Sequence, residues 1–327
     1  MTKKKITVIG GGTGTSVVLS GLKQHNNLNL NAIVVVSDSG GSTGRLRDEF
    51  GFLPIGDARQ CIAALTKGQH EQTIKDVLLY RFNKGSGLKG HNLGNLILTA
   101  LEDITNSPGK AIEIASKIFK ISGSVYPITE KNVQLVIEYD DGTIRIGEHT
   151  LDDYTLGGKT IKQIKLSPHA TIYSKAKQTI LESDLIILGP GDLYASILPN
   201  TLAHGFKPTL KRSKGKLVYI INLMTHYTQT HNMTAKQHIQ AITKYCDRYP
   251  DYIIINNQSI PKPILKHYAQ NQEYPVKNDL SSSKHYQIIT GNFLSSITTN
   301  QQPHDTVPRS LLRHNPTKLA NQILKLL

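Results

Sequence analysis

Tryptophan is absent from the 327 residues, and phenylalanine numbers only six. A nucleic-acid partner calls for basic stripes interleaved with exposed rings, so this scarcity, with lysines spread thinly along the chain, argues against one. Cysteine is almost as rare. Cys61 and Cys246 have no second Cys or His at metal-ligand spacing and read as buried free thiols, not as a disulfide framework or a zinc site. No apolar run approaches the ~18 residues of a membrane helix. The N-terminal Met1-Thr2-Lys3-Lys4-Lys5 leads into a strand-like segment instead of a signal-peptide core. The chain therefore reads as cytosolic, with no membrane span.

Negative charge is also in short supply: 24 Asp+Glu face 38 Lys+Arg, a formal charge of +14. That balance attracts anionic partners without saying which. The chain is nevertheless long enough to bury a sizeable core without staples.

Short β-branched runs punctuated by glycine set the organisation. Ile6-Thr7-Val8-Ile9 suits a buried parallel strand and runs into Gly10-Gly11-Gly12-Thr13-Gly14-Thr15, with a helical stretch beginning near Ser16. Ala32 to Val36 repeats the pattern and ends in Ser37-Asp38-Ser39-Gly40-Gly41-Ser42-Thr43-Gly44-Arg45. Helical spacing follows over 73–81 and 110–120. Val133, Leu135 and Ile137 then alternate before the turn Asp140-Asp141-Gly142-Thr143. Strand-like runs return at 184–188, 216–222, 252–255 and 286–289, while 270–284 and 300–308 are polar and read as loops. The pattern predicts an α/β fold: a doubly wound, mostly parallel Rossmann-like sheet forming one domain over 1–327, with an antiparallel β-rich subdomain inserted at 123–168.

A buried strand that ends in a glycine loop leaves helix amides open to an anion. Gly11, Gly12 and Gly14 permit close backbone approach, and Thr13 and Thr15 add hydroxyl donors. Thr15 stands where a dinucleotide fingerprint counted from Gly10 requires glycine, and the lysine of a P-loop is missing, so neither hydride transfer nor P-loop chemistry is supported. Asp38 follows the second strand, where a carboxylate accepts from ribose or holds a metal; an N-cap is its structural alternative. Gly40, Gly41 and Ser42 with Arg45 form a second candidate cradle. Gly189, Gly191 and Asp192 follow the strand that resumes the sheet and bring a third loop to the crevice. Asp57 with Arg59 reads equally well as a site pair or as a capping acid beside a solvent-facing base. His91, Asn92 and Asn95 supply compact polar groups for a cleft wall. His226, His231 and His238 match no zinc spacing, and no Gly-x-Ser-x-Gly elbow follows an apolar strand. A tubulin-like GTPase would share the glycine run but places it well inside its domain.

Taken in order, Gly10-Gly11-Gly12-Thr13-Gly14, Asp38-Ser39-Gly40-Gly41, Gly90-His91-Asn92-Leu93-Gly94-Asn95, Gly189-Pro190-Gly191-Asp192 and Leu312-Arg313-His314-Asn315 resemble the gluconeogenesis-factor family over nearly the whole chain. The family is similar in fold to the 2-phospho-L-lactate transferase CofD. The resemblance implies a cytoplasmic regulator that binds uridine-diphosphate sugars, UDP-N-acetylglucosamine or UDP-glucose, and supports cell shape and wall synthesis during gluconeogenic growth. It further implies an unidentified regulatory protein partner and allows a homo-oligomer. It places Tyr268, stacked on uracil, and Arg313, on the diphosphate, in the binding site. The binding role requires no cofactor. The alternative is a phospholactate or phosphoryl-nucleotide transferase in which Asp38 holds magnesium; Ser39, where many relatives carry a second Asp, weakens that metal site.

Overall fold

Seven short parallel strands form the main sheet in the order β10-β9-β8-β7-β1-β2-β3. The computed structural model describes residues 2–296 and 311–327; the loop expected at 300–308 lies outside them. β1 (Lys4–Gly10) pairs with β2 (Leu28–Val34) on one side and with β7 (Leu185–Leu188) on the other. β3 is Ser124–Pro127, and β8 (Lys216–Ile220), β9 (Tyr252–Asn256) and β10 (Gln287–Gly291) complete the sheet. All four β7 residues are buried, as are Ile6, Val8 and Ile9. This explains why the central strands read as unbroken apolar runs. β2 begins four residues before the run that predicted it, because Leu28 and Leu30 alternate with polar Asn29 and Asn31.

Helices cover both faces. α1 (Gly12–Leu22), α2 (Gly41–Phe50) and α3 (Gly56–Leu65) follow the first two strands, and α4 (Glu71–Leu79), α5 (Leu93–Thr105) and α6 (Pro108–Ile118) come next. The final helix, Pro316–Leu324, packs on α1.

A separate antiparallel sheet of order β5-β4-β6 is built from β4 (Gln134–Tyr139), β5 (Ile144–Ile146) and β6 (Ile161–Ser167). The insert expected at 123–168 therefore begins too early: β3 falls inside that range but pairs in parallel with β2, Asn31 opposite Ser124. The buried hydroxyl of Tyr245 accepts the Ile164 N–H at 2.9 Å and ties this small sheet to the body. Cys61 and Cys246 are buried free thiols, as their flanks suggest.

Glu102 of α5 accepts the Leu53 N–H at 2.9 Å and so holds the connector between α2 and α3. It is 6% exposed, and burial raises its pKa from 4.5 to about 7. The folded chain thus binds this proton more tightly than the unfolded chain. The stabilisation is complete below pH 4.5 and is lost as pH rises through about 7. Relative to Glu102→Gln, the wild type should lose about 2–3 kcal/mol between these limits. Urea unfolding at pH 4.5 and at about pH 8 measures it, and parallel curves would remove Glu102 from the account.

Candidate functional site

The strand order reverses at β1, whose neighbours β2 and β7 lead away in opposite directions, and a crevice opens there at the C-terminal ends of the strands. A cleft of about 550 Å³ occupies this position, within the usual size range of ligand sites. Its wall includes Gly11, Gly12, Thr13 and Gly14 after β1, Asp38, Gly40, Gly41 and Ser42 after β2, and Gly191 and Asp192 after β7. Asp57, Asn95, Tyr268 and Arg313 also line it.

Absent β-carbons make this convergence feasible. A side chain at Gly14 would collide with the Pro190 carbonyl, and one at Gly11 with the Asp57 carboxylate. Asp57 accepts the Gly12 N–H at 2.7 Å, which fixes the first loop against α3. The N-caps of α1 and α2 are Gly11 and Gly40, and neither supplies a side-chain hydrogen bond. Amides that a Ser or Asp cap would otherwise satisfy therefore begin both helices at the cleft wall. Asp38 accepts the Gly40 N–H at 2.9 Å. Burial raises its pKa, opposed by that N–H, by Thr43 and by Arg59 and Arg47.

Thr15, Arg45, His91, Asn92 and Gly189 lie outside the cleft lining. Thr15 is fully buried, with its hydroxyl directed to the Gly11 carbonyl at 3.4 Å. His91 lies within 3.3 Å of the Ser42 hydroxyl, and burial lowers its pKa. Asn92 caps α5 by accepting the Asn95 N–H. Gly189 sits behind the third loop, its N–H on the Ile9 carbonyl. Arg45 is exposed and reaches the Lys89 carbonyl at 3.4 Å, so it is not part of the cradle expected for it. The buried base near Asp57 is Arg59, 5% exposed and bonded to the Leu78 carbonyl, not a solvent-facing partner. Tyr268 lines the cleft from a packed position. It packs with Met224, Leu294 and Leu312, and its hydroxyl accepts the Leu312 N–H at 3.0 Å. Its hydroxyl thereby anchors the segment carrying Arg313.

The insert contributes what sequence reasoning missed. Glu148, His149 and Asp152 of a short 3₁₀ turn line the cleft, joined by Asn222, His226 and Glu273. Burial and the nearby Asp38, Asp152, Asp57 and Asp192 push the Glu148 carboxyl well up. Burial also raises Asp152 and Glu273, with Asp192 adding to each and His226 opposing. Only Asn222 carried a legible signal: it follows a buried strand, and its side-chain oxygen accepts the Gly191 N–H at 3.1 Å. The Ser39 hydroxyl accepts the His149 N–H at 2.9 Å and lies 2.8 Å from His149 Nδ1. Position 39 therefore faces the insert. Of the three histidines, His226 lies 3.8 Å from Glu273, His231 packs between Tyr227 and Tyr274, and His238 is buried with its ring on the Thr234 carbonyl. Among the described residues, no three His, Cys, Asp or Glu side chains are grouped to hold a metal ion.

The family model for the 2-phospho-L-lactate transferase CofD matches residues 6–294. A gluconeogenesis factor from Bacillus subtilis (strain 168) is 37% identical, covering 99% of this chain and 98% of that protein. Another, from Listeria innocua serovar 6a, is 36% identical and covers 100% and 96%. A crystal structure of a UPF0052-family protein from Bacillus halodurans matches with a TM-score of 0.88 at 35% identity over 99% of both chains. No helix among the described residues is long and apolar enough to cross a membrane.

Gly14→Ala should destabilise the fold by about 1–3 kcal/mol, because the methyl group meets backbone that cannot rotate aside. At Gly87 a methyl group meets nothing within 4 Å, so Gly87→Ala should stay within about 0.5 kcal/mol. Chemical denaturation of the two variants provides the comparison; equal midpoints would mean that the loops do not pack as described.

Proposed function

We infer that the cleft holds a nucleotide-linked sugar as a regulatory ligand, and the premise is the family: the chain belongs to the gluconeogenesis factors, which share the CofD fold. The observation that carries the reading is that α1 and α2 both begin, without side-chain caps, at one cleft beside the strand-order reversal. Amides so placed suit a pyrophosphate. Arg313, which also lines the cleft and is held through Leu312 by Tyr268, adds a fork of donors for the same group. UDP-N-acetylglucosamine and UDP-glucose are the ligands we propose, in the cytoplasm, with cell shape and wall synthesis on gluconeogenic carbon as the process regulated. The family resemblance supports this last step.

A second reading, transfer of a phospholactate-like group from a nucleotide donor, is favoured by the carboxylates around Asp38. Magnesium is commonly held by one or two carboxylates plus substrate phosphates, so the absence of a three-carboxylate group among the described residues does not conflict with it. Asp38 and Glu148, whose charges act on each other, are oxygen donors of the right kind. When bound there, the ion would supply neutralisation of pyrophosphate charge. Asp57 meanwhile fixes the Gly12 amide, and the glycine loops orient the phosphates.

Calorimetry separates the readings. UDP-N-acetylglucosamine or UDP-glucose should bind in the presence of chelator, and silence from both at high-micromolar concentration would end the regulatory reading. Arg313→Ala should weaken binding by about 1.5–3 kcal/mol, the worth of a hydrogen bond to a charged group. Release of a nucleoside monophosphate, dependent on added magnesium, would instead establish the transferase reading.

A further inference from the structure

We propose that the acidic side of the cleft selects an uncharged, hydroxyl-rich group at the far end of the ligand, and that Glu148 and Asp152 of the insert exclude an anionic one. The proposal rests on the nucleotide-sugar reading and specifies its sugar. Glu148 and Asp152 line the cleft from one 3₁₀ turn, and Asp38, Asp192 and Glu273 line it as well. This wall offers acceptors and negative charge.

Two neutral side chains point the same way independently. Asn95 is 4% exposed and lines the cleft; its amide nitrogen donates to Thr43 at 3.1 Å while its Oδ1 has no hydrogen-bond partner. His314 is 5% exposed and also lines the cleft. Its ring donates to the Ile221 carbonyl, and its Nε2 is left without a partner. A neutral imidazole whose one N–H is used can only accept at the other nitrogen. The guest must therefore bring donors. Sugar hydroxyls do so, whereas a carboxylate brings none and adds a further anion to a cluster of carboxyls, Glu148 among Asp38, Asp57, Asp152 and Asp192, that already repel one another.

The turn is also held in place. Ser39 grips His149 at both its backbone N–H and its ring, and Thr228 donates to the Leu151 carbonyl. Glu148 and Asp152 flank these two anchored residues, so their carboxylates face the cleft from a fixed frame and act on a ligand's outer end.

The test is calorimetry in chelator with UDP-glucose and UDP-glucuronate, which differ by a carboxylate at the sugar. The wild type should bind UDP-glucuronate at least about tenfold more weakly, given the cost of a like-charge contact. Glu148→Gln and Asp152→Asn, alone and combined, should narrow that ratio. Equal affinity of the wild type for the two sugars would overturn the proposal, as would a ratio unchanged in the double variant; in both cases UDP-glucose binding leaves the nucleotide-sugar reading standing. If neither sugar nucleotide binds the wild type, that reading fails first and the proposal falls with it.

Discussion

The site depends on backbone meeting backbone where the sheet reverses its strand order. The first turn of α1 lies so close to the Pro190 carbonyl that Gly14 has no space for a side chain, and Gly11 is pressed in the same way against Asp57. Only residues without a β-carbon let loops after β1, β2 and β7 share one hollow. The Asp57 carboxylate on the Gly12 amide then couples this geometry to α3. Two helix starts without side-chain caps follow as a consequence, because a glycine N-cap has nothing with which to satisfy the next amides.

Charge is distributed against the average of the chain. The chain as a whole has a formal charge of +14, which favours anionic partners over long range. The cleft itself is lined by six carboxylates, Asp38, Asp57, Glu148, Asp152, Asp192 and Glu273, among Arg59, Arg81 and Arg313. Attraction at a distance and recognition at contact are thus assigned to different groups. A basic chain that binds a phosphate-bearing molecule does not need a uniformly basic pocket. Here acids and bases share one wall, and Asp57 and Asp38 each hold an amide of a glycine loop.

Much of this was legible in the residues because burial on both faces leaves a plain mark. The Leu185–Leu188 strand and the glycine runs after 9, 38 and 188 announce a doubly wound sheet and its crevice. α3 left no such mark. Nearly every one of its residues is buried, from Asp57 and Arg59 to Leu65, so it has no polar face and no helical period. The boundary of the insert was blurred for a related reason: β3 is a four-residue edge strand whose pattern fits either sheet. Arg45 lies outside the cleft because a helix position one turn past the glycine loop points its side chain outward, something a motif read as a string does not contain.

Ser39 shows why the remaining part could not be read. As a string, Asp38-Ser39-Gly40-Gly41 offers one carboxylate, and a metal-dependent site looks poor on that count. In three dimensions the Ser39 hydroxyl faces His149, 110 positions away, and fastens the insert to the second glycine loop. Position 39 is therefore a joint, and the joint carries Glu148 and Asp152 to the cleft. The segment that contains them, Gly147-Glu148-His149-Thr150-Leu151-Asp152, is indistinguishable by composition from a solvated loop until the contact with Ser39 is known. Local chemistry names the glycine cradle; long-range pairing decides what stands beside it.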